Sequence, residues 1–528
     1  MITKGHRAAF LAVSAAFLAT VVIARGAGVT VITHGLNGDT DGWVTGMANQ
    51  IPSYTNFPGA TYTLYKLHFV SSGGGSFQPT WSRTAGSAPS GTDSGEIIIV
   101  LDWRQLADGN SFNTYEIAAP VASALQNASF VSELNGHAFS ELPLHFIGHS
   151  RGGSLISEIS LHLGTNGVWV DHLTTLDPHP LNDPAFPLDS LLYSAVDAPA
   201  RTYENVLFHD NYWQELDFFV YGQPVSGSYV RELYSLPSGY SLAHSDVHLW
   251  YHATVDERNP ADDTEAQVTN SQLGNWYVPY EDNGANAGFR WSLIGGGNRA
   301  SPDRPLGIGS PAIRDGYNQT WDLGAGENGN RTLLPANNGN WPNVIKLNVM
   351  STNQVQQGTN IAVMYYYQWA RPETSAATLS FYLDDDSNPL NDNNRLLRQV
   401  TVPGTGALNV NVQTLGLELN ASNAPPPGDY RLYAGITGGG RTRYLYAPEV
   451  LTVSAAPVIS PLLSAGKQGA NVILKWPTNA PGFVLQWATN LGSGNWSNAT
   501  PLPTIVSGEF TVTNSLNDRL RFYRLRKP

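Results

Sequence analysis

The sequence contains no cysteine, and only 13% of its 528 residues are charged. No disulfide and no lipid-modified cysteine is therefore available, so every domain must be held by its own apolar core. Basic residues are the scarcer sign, 29 Lys and Arg against 42 Asp and Glu, for a formal net charge of −13. A chain without basic clusters lacks the electrostatic footprint of a nucleic-acid binder. It equally lacks the charge that draws proteins to anionic headgroups, so any contact with lipid has to be apolar. Beyond Ile23 no apolar run is long enough to span a bilayer. What is plentiful is Gly (52), Pro (34), Tyr (24) and Trp (14), the profile of a loop-rich, strand-rich extracellular protein. The length implies two to four domains.

Lys4 and Arg7 precede an apolar run from Ala8 to Ile23 and the small-x-small pattern Ala24-Arg25-Gly26. Residues 1–26 therefore read as a signal peptide, and the protein as secreted, periplasmic or held at a cell surface.

From about 27 to 340 apolar strands alternate with helix-length segments, the pattern of a mostly parallel sheet flanked by helices. Val29–Thr33, Thr61–Val70, Leu144–Ile147, His172–Leu176 and Asn205–Phe208 read as strands. Ile97–Leu101 is a continuous apolar run, as buried parallel strands are. Asp41–Ile51, Asn113–Leu134 and Gly153–Leu163 have helical spacing. The Gly/Asn-rich stretch 282–340 has little regular pattern and is expected to wrap the domain surface. Over 341–455 short strands such as Val344–Leu347 and Tyr430–Tyr433 indicate a β-sandwich. The stretch 456–528 repeats that texture on a smaller scale and resembles a fibronectin type III-like sandwich. The change of texture near 340 predicts that the first domain works without either sandwich.

The motif that carries chemistry is Gly148-His149-Ser150-Arg151-Gly152, placed between a strand and a helix. G-x-S-x-G in that context is a nucleophile elbow, whose glycines relieve a sharp turn that lifts the Ser hydroxyl clear of the sheet. A serine hydroxyl attacks only when a base takes its proton and a carboxylate orients that base. Asp177 ends one downstream strand and Asp210 stands at the end of the next, so both are candidate acids. His244, His248 and His252 are candidate bases. The pair at i, i+4 would suit zinc, but no Glu of the H-E-x-x-H kind lies between them. The tetrahedral oxyanion needs N–H donors, which Arg151 at a helix start and Leu36 after His34-Gly35 are placed to supply.

His34-Gly35-Leu36, Leu101-Asp102-Trp103-Arg104, Leu144–Gly152, Leu176-Asp177-Pro178 and Ala243-His244 follow one another as in pancreatic-type lipases. The chain resembles that family over about residues 29–255. The resemblance implies an α/β-hydrolase domain over 27–340, followed by a β-sandwich, with Ser150 as nucleophile, Asp177 as acid and His244 as base. It also implies an oxyanion hole from the Leu36 and Arg151 N–H groups. Arg151 stands where the family commonly has an apolar residue, and the family's disulfides and an amphipathic lid are not found. The expected activity is hydrolysis of small-molecule or lipid carboxylic esters, with no cofactor and no metal. Its rivals are a polyester depolymerase whose sandwiches dock an insoluble polymer, and a surface-binding protein whose hydrolase domain is inert.

Asp384-Asp385-Asp386 and the asparagines after it fail the EF-hand pattern, with Pro389 at the Gly position and Arg395 at the Glu position. They read as a solvated loop. Trp476, Trp487 and Trp496 read as core and edge aromatics of the last sandwich.

Overall fold

A computed structural model describes residues 27–54, 61–73, 76–91, 94–233, 236, 239–255, 266, 288–292, 331–335, 339, 341–369, 372–404, 411–420, 423–455, 461–478, 480, 482–492, 494–516 and 520–527. The expected signal peptide and most of the Gly/Asn-rich stretch lie outside the described residues. Among the described residues no helix is long and apolar enough to cross a membrane. The chain forms two compact units, Met1–Ser454 and Ala455–Pro528.

The first unit is built on an eight-stranded sheet of β1 (Gly28–Thr33), β2 (Thr61–Gly73), β3 (Ser76–Gly86), β4 (Ser94–Asp102), β5 (Leu144–His149), β6 (Val170–Leu176), β7 (Val206–Trp213) and β8 (Tyr229–Glu232). Their order is β3-β2-β4-β1-β5-β6-β7-β8, parallel throughout except for the β2–β3 hairpin. Successive residues of β4 explain its continuous apolar run. Ile97, Ile99 and Leu101 face one core and Ile98 and Val100 the other. The first core holds α2 (Thr114–Gln126) and α3 (Arg151–Thr165), and the second holds α1 (Trp43–Gln50) and α4 (Ala243–Val255). Asn113 starts α2 through a reciprocal capping box with Glu116, a device of about 1 kcal/mol. The hairpin strand β3 and the short strand β8 carry too little alternation to be read from sequence.

The chain crosses from β4 to β5 on opposite sides of β1, so β1 and β5 meet at a topological switch point. Ligand crevices form outside the carboxyl ends of strands at such points. Thr33 pairs in register with Gly148, which brings the loop after β1 against the turn after β5.

Residues 342–454 form a five-stranded and a three-stranded sheet around their own core. The expected separation near 340 does not hold at the level of packing. Trp341, Leu390, Tyr433 and Tyr446 belong to the same apolar cluster as α2, α3 and the large sheet. The buried Arg443 pairs with Asp171 of β6, and Asn343 bonds Trp169 N–H and Gly167 O. The loop at Asp384–Asp386 is likewise not a solvated one. Asp384 and Asp386 are buried, the first against the Tyr446 hydroxyl and the second against the Asn391 and Asn393 amides. The reason is position, since the loop packs inward, where the Asn388 amide donates to Pro89 O.

The second unit has a four-stranded and a three-stranded sheet. Trp476 is buried in its core, while Trp487 and Trp496 each lie under an arginine, Arg521 and Arg524.

Candidate active site

Ser150 joins β5 to α3 with φ 58° and ψ −128°, a conformation L-residues avoid. Strain of this kind costs about 1–3 kcal/mol and persists only where surrounding bonds impose it. Here Ser150 N–H donates to Leu176 O at 2.9 Å, and Ser150 O accepts from Gly153 N–H at 2.9 Å and His179 N–H at 3.2 Å. The flanking glycines are required by contact. A Cβ on Gly152 would stand 2.3 Å from His34 O, and one on Gly35 would stand 2.7 Å from Ser150 Cβ. The loop after β1 therefore presses directly on the Ser150 turn, and Leu36 lines the same cavity as Ser150.

That cavity, about 320 Å³, is also lined by Trp43, His149, His244 and His248. Asp177 follows β6 at φ 45°, which turns its side chain out of the sheet edge. Its Oδ2 accepts a 2.6 Å hydrogen bond from His244 Nδ1 at the start of α4. His244 is pinned twice more, its N–H donating to Asp217 Oδ2 at 2.8 Å and its carbonyl bonded to His149 Nε2 at 2.8 Å. Burial pushes the His244 imidazole down, with His179 adding to the shift and Asp217 opposing it. Burial pushes the Asp177 carboxyl up to about 7, a rise that two bonds from Gln214 oppose only in part. With Nδ1 engaged by the carboxylate, a neutral His244 presents Nε2 as a proton acceptor.

The competing residues lie elsewhere. Asp210 does not end a strand as the sequence suggests, because β7 runs on to Trp213. It is buried within the sheet, bonded to His172 Nε2 at 2.8 Å, Thr174 Oγ1 at 2.6 Å and the Tyr212 hydroxyl at 2.8 Å. His248 lines the cavity but stacks on Trp43 at 4.3 Å, and burial holds it neutral. His252 is buried further along α4.

The arginine after Ser150 has a structural explanation. Arg151 turns inward, wholly buried, with Nε 2.7 Å from Asp197 Oδ2, and its guanidinium lies over Trp103. Its backbone N–H stays at the helix start while its charge is neutralised below. Asp102 collects Lys66 at 3.0 Å and Arg104 at 3.1 Å, and Trp103 Nε1 donates to Thr33. Those bonds brace the end of β1 from which Gly35 and Leu36 extend. His149, Gln214, Asp217 and Asp197 were not singled out in the sequence. Only His149, inside the elbow motif, carried a local signal.

No family model matches the chain, and no curated protein matches it. Among solved structures it is similar to the CARDB domain of the Pyrococcus furiosus protein PF1109, solved in complex with di-metal ions, at 13% identity and TM-score 0.16 over 22% of this chain and 90% of that one. It is also similar to Spo0M of Bacillus subtilis, at 10% identity and TM-score 0.17 over 26% of this chain and 67% of that one. A third is red sea bream transglutaminase, at 13% identity and TM-score 0.14 over 41% of this chain and 29% of that one. Likenesses of this size assign neither a fold nor an activity.

Proposed function

We propose that the chain is an exported serine hydrolase of the α/β-hydrolase kind that cleaves carboxylic esters, with Ser150, His244 and Asp177 as its triad. The observation that carries this reading is a positive-φ serine opening a helix in one cavity with a histidine whose Nδ1 is held 2.6 Å from a buried aspartate. Ser150 Oγ attacks the ester carbonyl while His244 Nε2 takes its proton. The oxyanion is met by the N–H groups of Leu36 and Arg151, at the close approach of Gly35 to Ser150. His244 returns the proton to the departing alcohol, and a water activated by the same imidazole releases the acid from the acyl-enzyme. Asp177 stays ionised and stabilises the imidazolium.

A second groove of about 440 Å³, with Phe186, Leu188, Phe218, Phe219 and Tyr221 beside the carboxylates of Asp189, Glu215 and Asp217, adjoins the site through Asp217. Its aromatic and aliphatic walls suit an apolar acyl portion. The test is Ser150→Ala assayed with p-nitrophenyl esters of rising chain length, emulsified triglyceride and a polyester film. Loss of several orders of magnitude in a folded variant is expected. Retained turnover would remove the reading.

A further inference from the structure

Gln214, the residue directly after β7, is fully buried, and the acid and the loop beside the base converge on it. Its backbone N–H donates to Asp177 Oδ1 at 2.9 Å, and its Nε2 donates to Asp177 Oδ2 at 2.8 Å and to Val220 O at 3.2 Å. Its Oε1 accepts the N–H groups of Leu216 at 2.6 Å and Asp217 at 3.0 Å. The oxygen meets only donors and the nitrogen only acceptors, so all four hydrogen-bonding positions of the amide are used and its orientation is fixed.

We propose that Gln214 is a positioning residue for the ester hydrolysis, one amide that keeps Asp177 ionised and aimed at His244 while tying down the loop that seats the base. The proposal rests on the triad reading above. Its physical ground is the number of donors. A carboxylate with no exposure to water stays charged only if N–H groups replace its hydration. Among the described residues three donors reach the Asp177 oxygens, one from His244 and two from Gln214. The Oδ2 that meets Gln214 Nε2 is the oxygen that meets His244 Nδ1, so the amide sets the direction of that carboxylate as well as its charge. The same amide holds Asp217 N–H, and the Asp217 carboxylate accepts the His244 N–H at 2.8 Å. Gly222 closes the wrap from the far end of the loop. A Cβ there would stand 2.3 Å from Asp177 Oδ1, so no side chain can take the place of Gln214 as a donor from that position.

The titratable groups facing the pair are His149 from the elbow, His179 after β6, His248 from α4 and Asp217 from the loop. None of them donates to the Asp177 carboxylate in place of Gln214. Removing the side-chain amide takes away the larger of the two Gln214 bonds that oppose burial, the backbone N–H remaining, and Asp177 holds its proton to higher pH. Activity requires the ionised carboxylate, so the acidic limb of the pH profile moves upward.

The experiment uses the full chain with Gln214→Met, which removes the side-chain donors, and Gln214→Glu, which keeps the volume but sets a second carboxyl against Asp177. Turnover of a soluble p-nitrophenyl ester is measured against pH and divided by the number of sites that a fluorophosphonate labels. The midpoint of the acidic limb of kcat/KM is expected to rise by about one pH unit or more in Gln214→Met. It should rise at least as far in Gln214→Glu, because two carboxyls then share the site. If Gln214→Met does not fold, the isosteric Gln214→Glu carries the comparison. A wild-type midpoint in the folded variants, with the whole loss explained by fewer labelled sites, would reduce Gln214 to a packing role and overturn the proposal. Absence of label on Ser150 in the unaltered protein would overturn the triad reading instead, so the two failures are distinguishable.

Discussion

Replacing Arg443 by methionine breaks a buried ion pair through which the sandwich at 342–454 grips the large sheet. Arg443 is 1% exposed and Asp171 4%. The guanidinium donates to Asp171 Oδ2 and, at 2.8 Å, to Ser140 O, while Asp171 Oδ2 also accepts Leu144 N–H at 2.8 Å. Methionine preserves most of the volume, so the cost is the stranded carboxylate rather than a cavity. Removing one partner of a buried pair costs about 3–5 kcal/mol. Unfolding entropy of about 2.1 cal/mol/K per residue, over a unit of roughly 450 residues, turns that into a fall in Tm of about 3–5 °C. The assay is denaturant and thermal unfolding of the full chain, followed by tryptophan fluorescence. The transition of the first unit should move while that of 455–528 stays in place. Adding Asp171→Leu should recover part of the loss, since both charges are then gone. A cost below about 1 kcal/mol, or a sandwich that melts separately and leaves the sheet unmoved, would refute a shared core.

Asp177→Asn should lower turnover by about 10⁴-fold with little loss of fold, whereas Asp210→Asn should leave turnover within about tenfold and cost about 1–3 kcal/mol of stability. Steady-state kinetics beside urea unfolding separates the two, and reversed effects would move the acid to Asp210. His244→Ala should lose as much activity as Ser150→Ala, because triad members act as a unit, while His248→Ala should remain labelled by a fluorophosphonate and lose mainly its stacking on Trp43. A chain ending at Ser454 should hydrolyse soluble esters at the full-length rate, and one ending near 340 should be insoluble or inactive, as expression and ester assays of the two would show.

The candidate site was legible where a turn imposes a local pattern. The elbow needs glycine on both sides of its serine, and the structure shows why, with carbonyls and side chains within contact of the missing Cβ atoms. The position of Asp177 at the end of β6 was legible because Pro178 stops the strand there. Asp210 read as a competing acid because its strand was expected to end in His209-Asp210, yet β7 carries those polar groups through a buried network of its own. Gln214 and Asp217 were illegible because their contacts with Asp177 and His244 depend on a loop folding back over a residue some forty positions earlier, and nothing in their spacing records that. The shared core near 340 escaped for a similar reason. The aromatics Tyr433 and Tyr446, paired across neighbouring strands, mark a buried sheet face without saying which layer covers it.

The most direct test is treatment of the purified full-length protein with a fluorophosphonate, followed by peptide mapping. One adduct on Ser150, absent in Ser150→Ala and formed far more slowly in His244→Ala, is the predicted result. An unmodified Ser150 in a folded protein that still cleaves esters would contradict it.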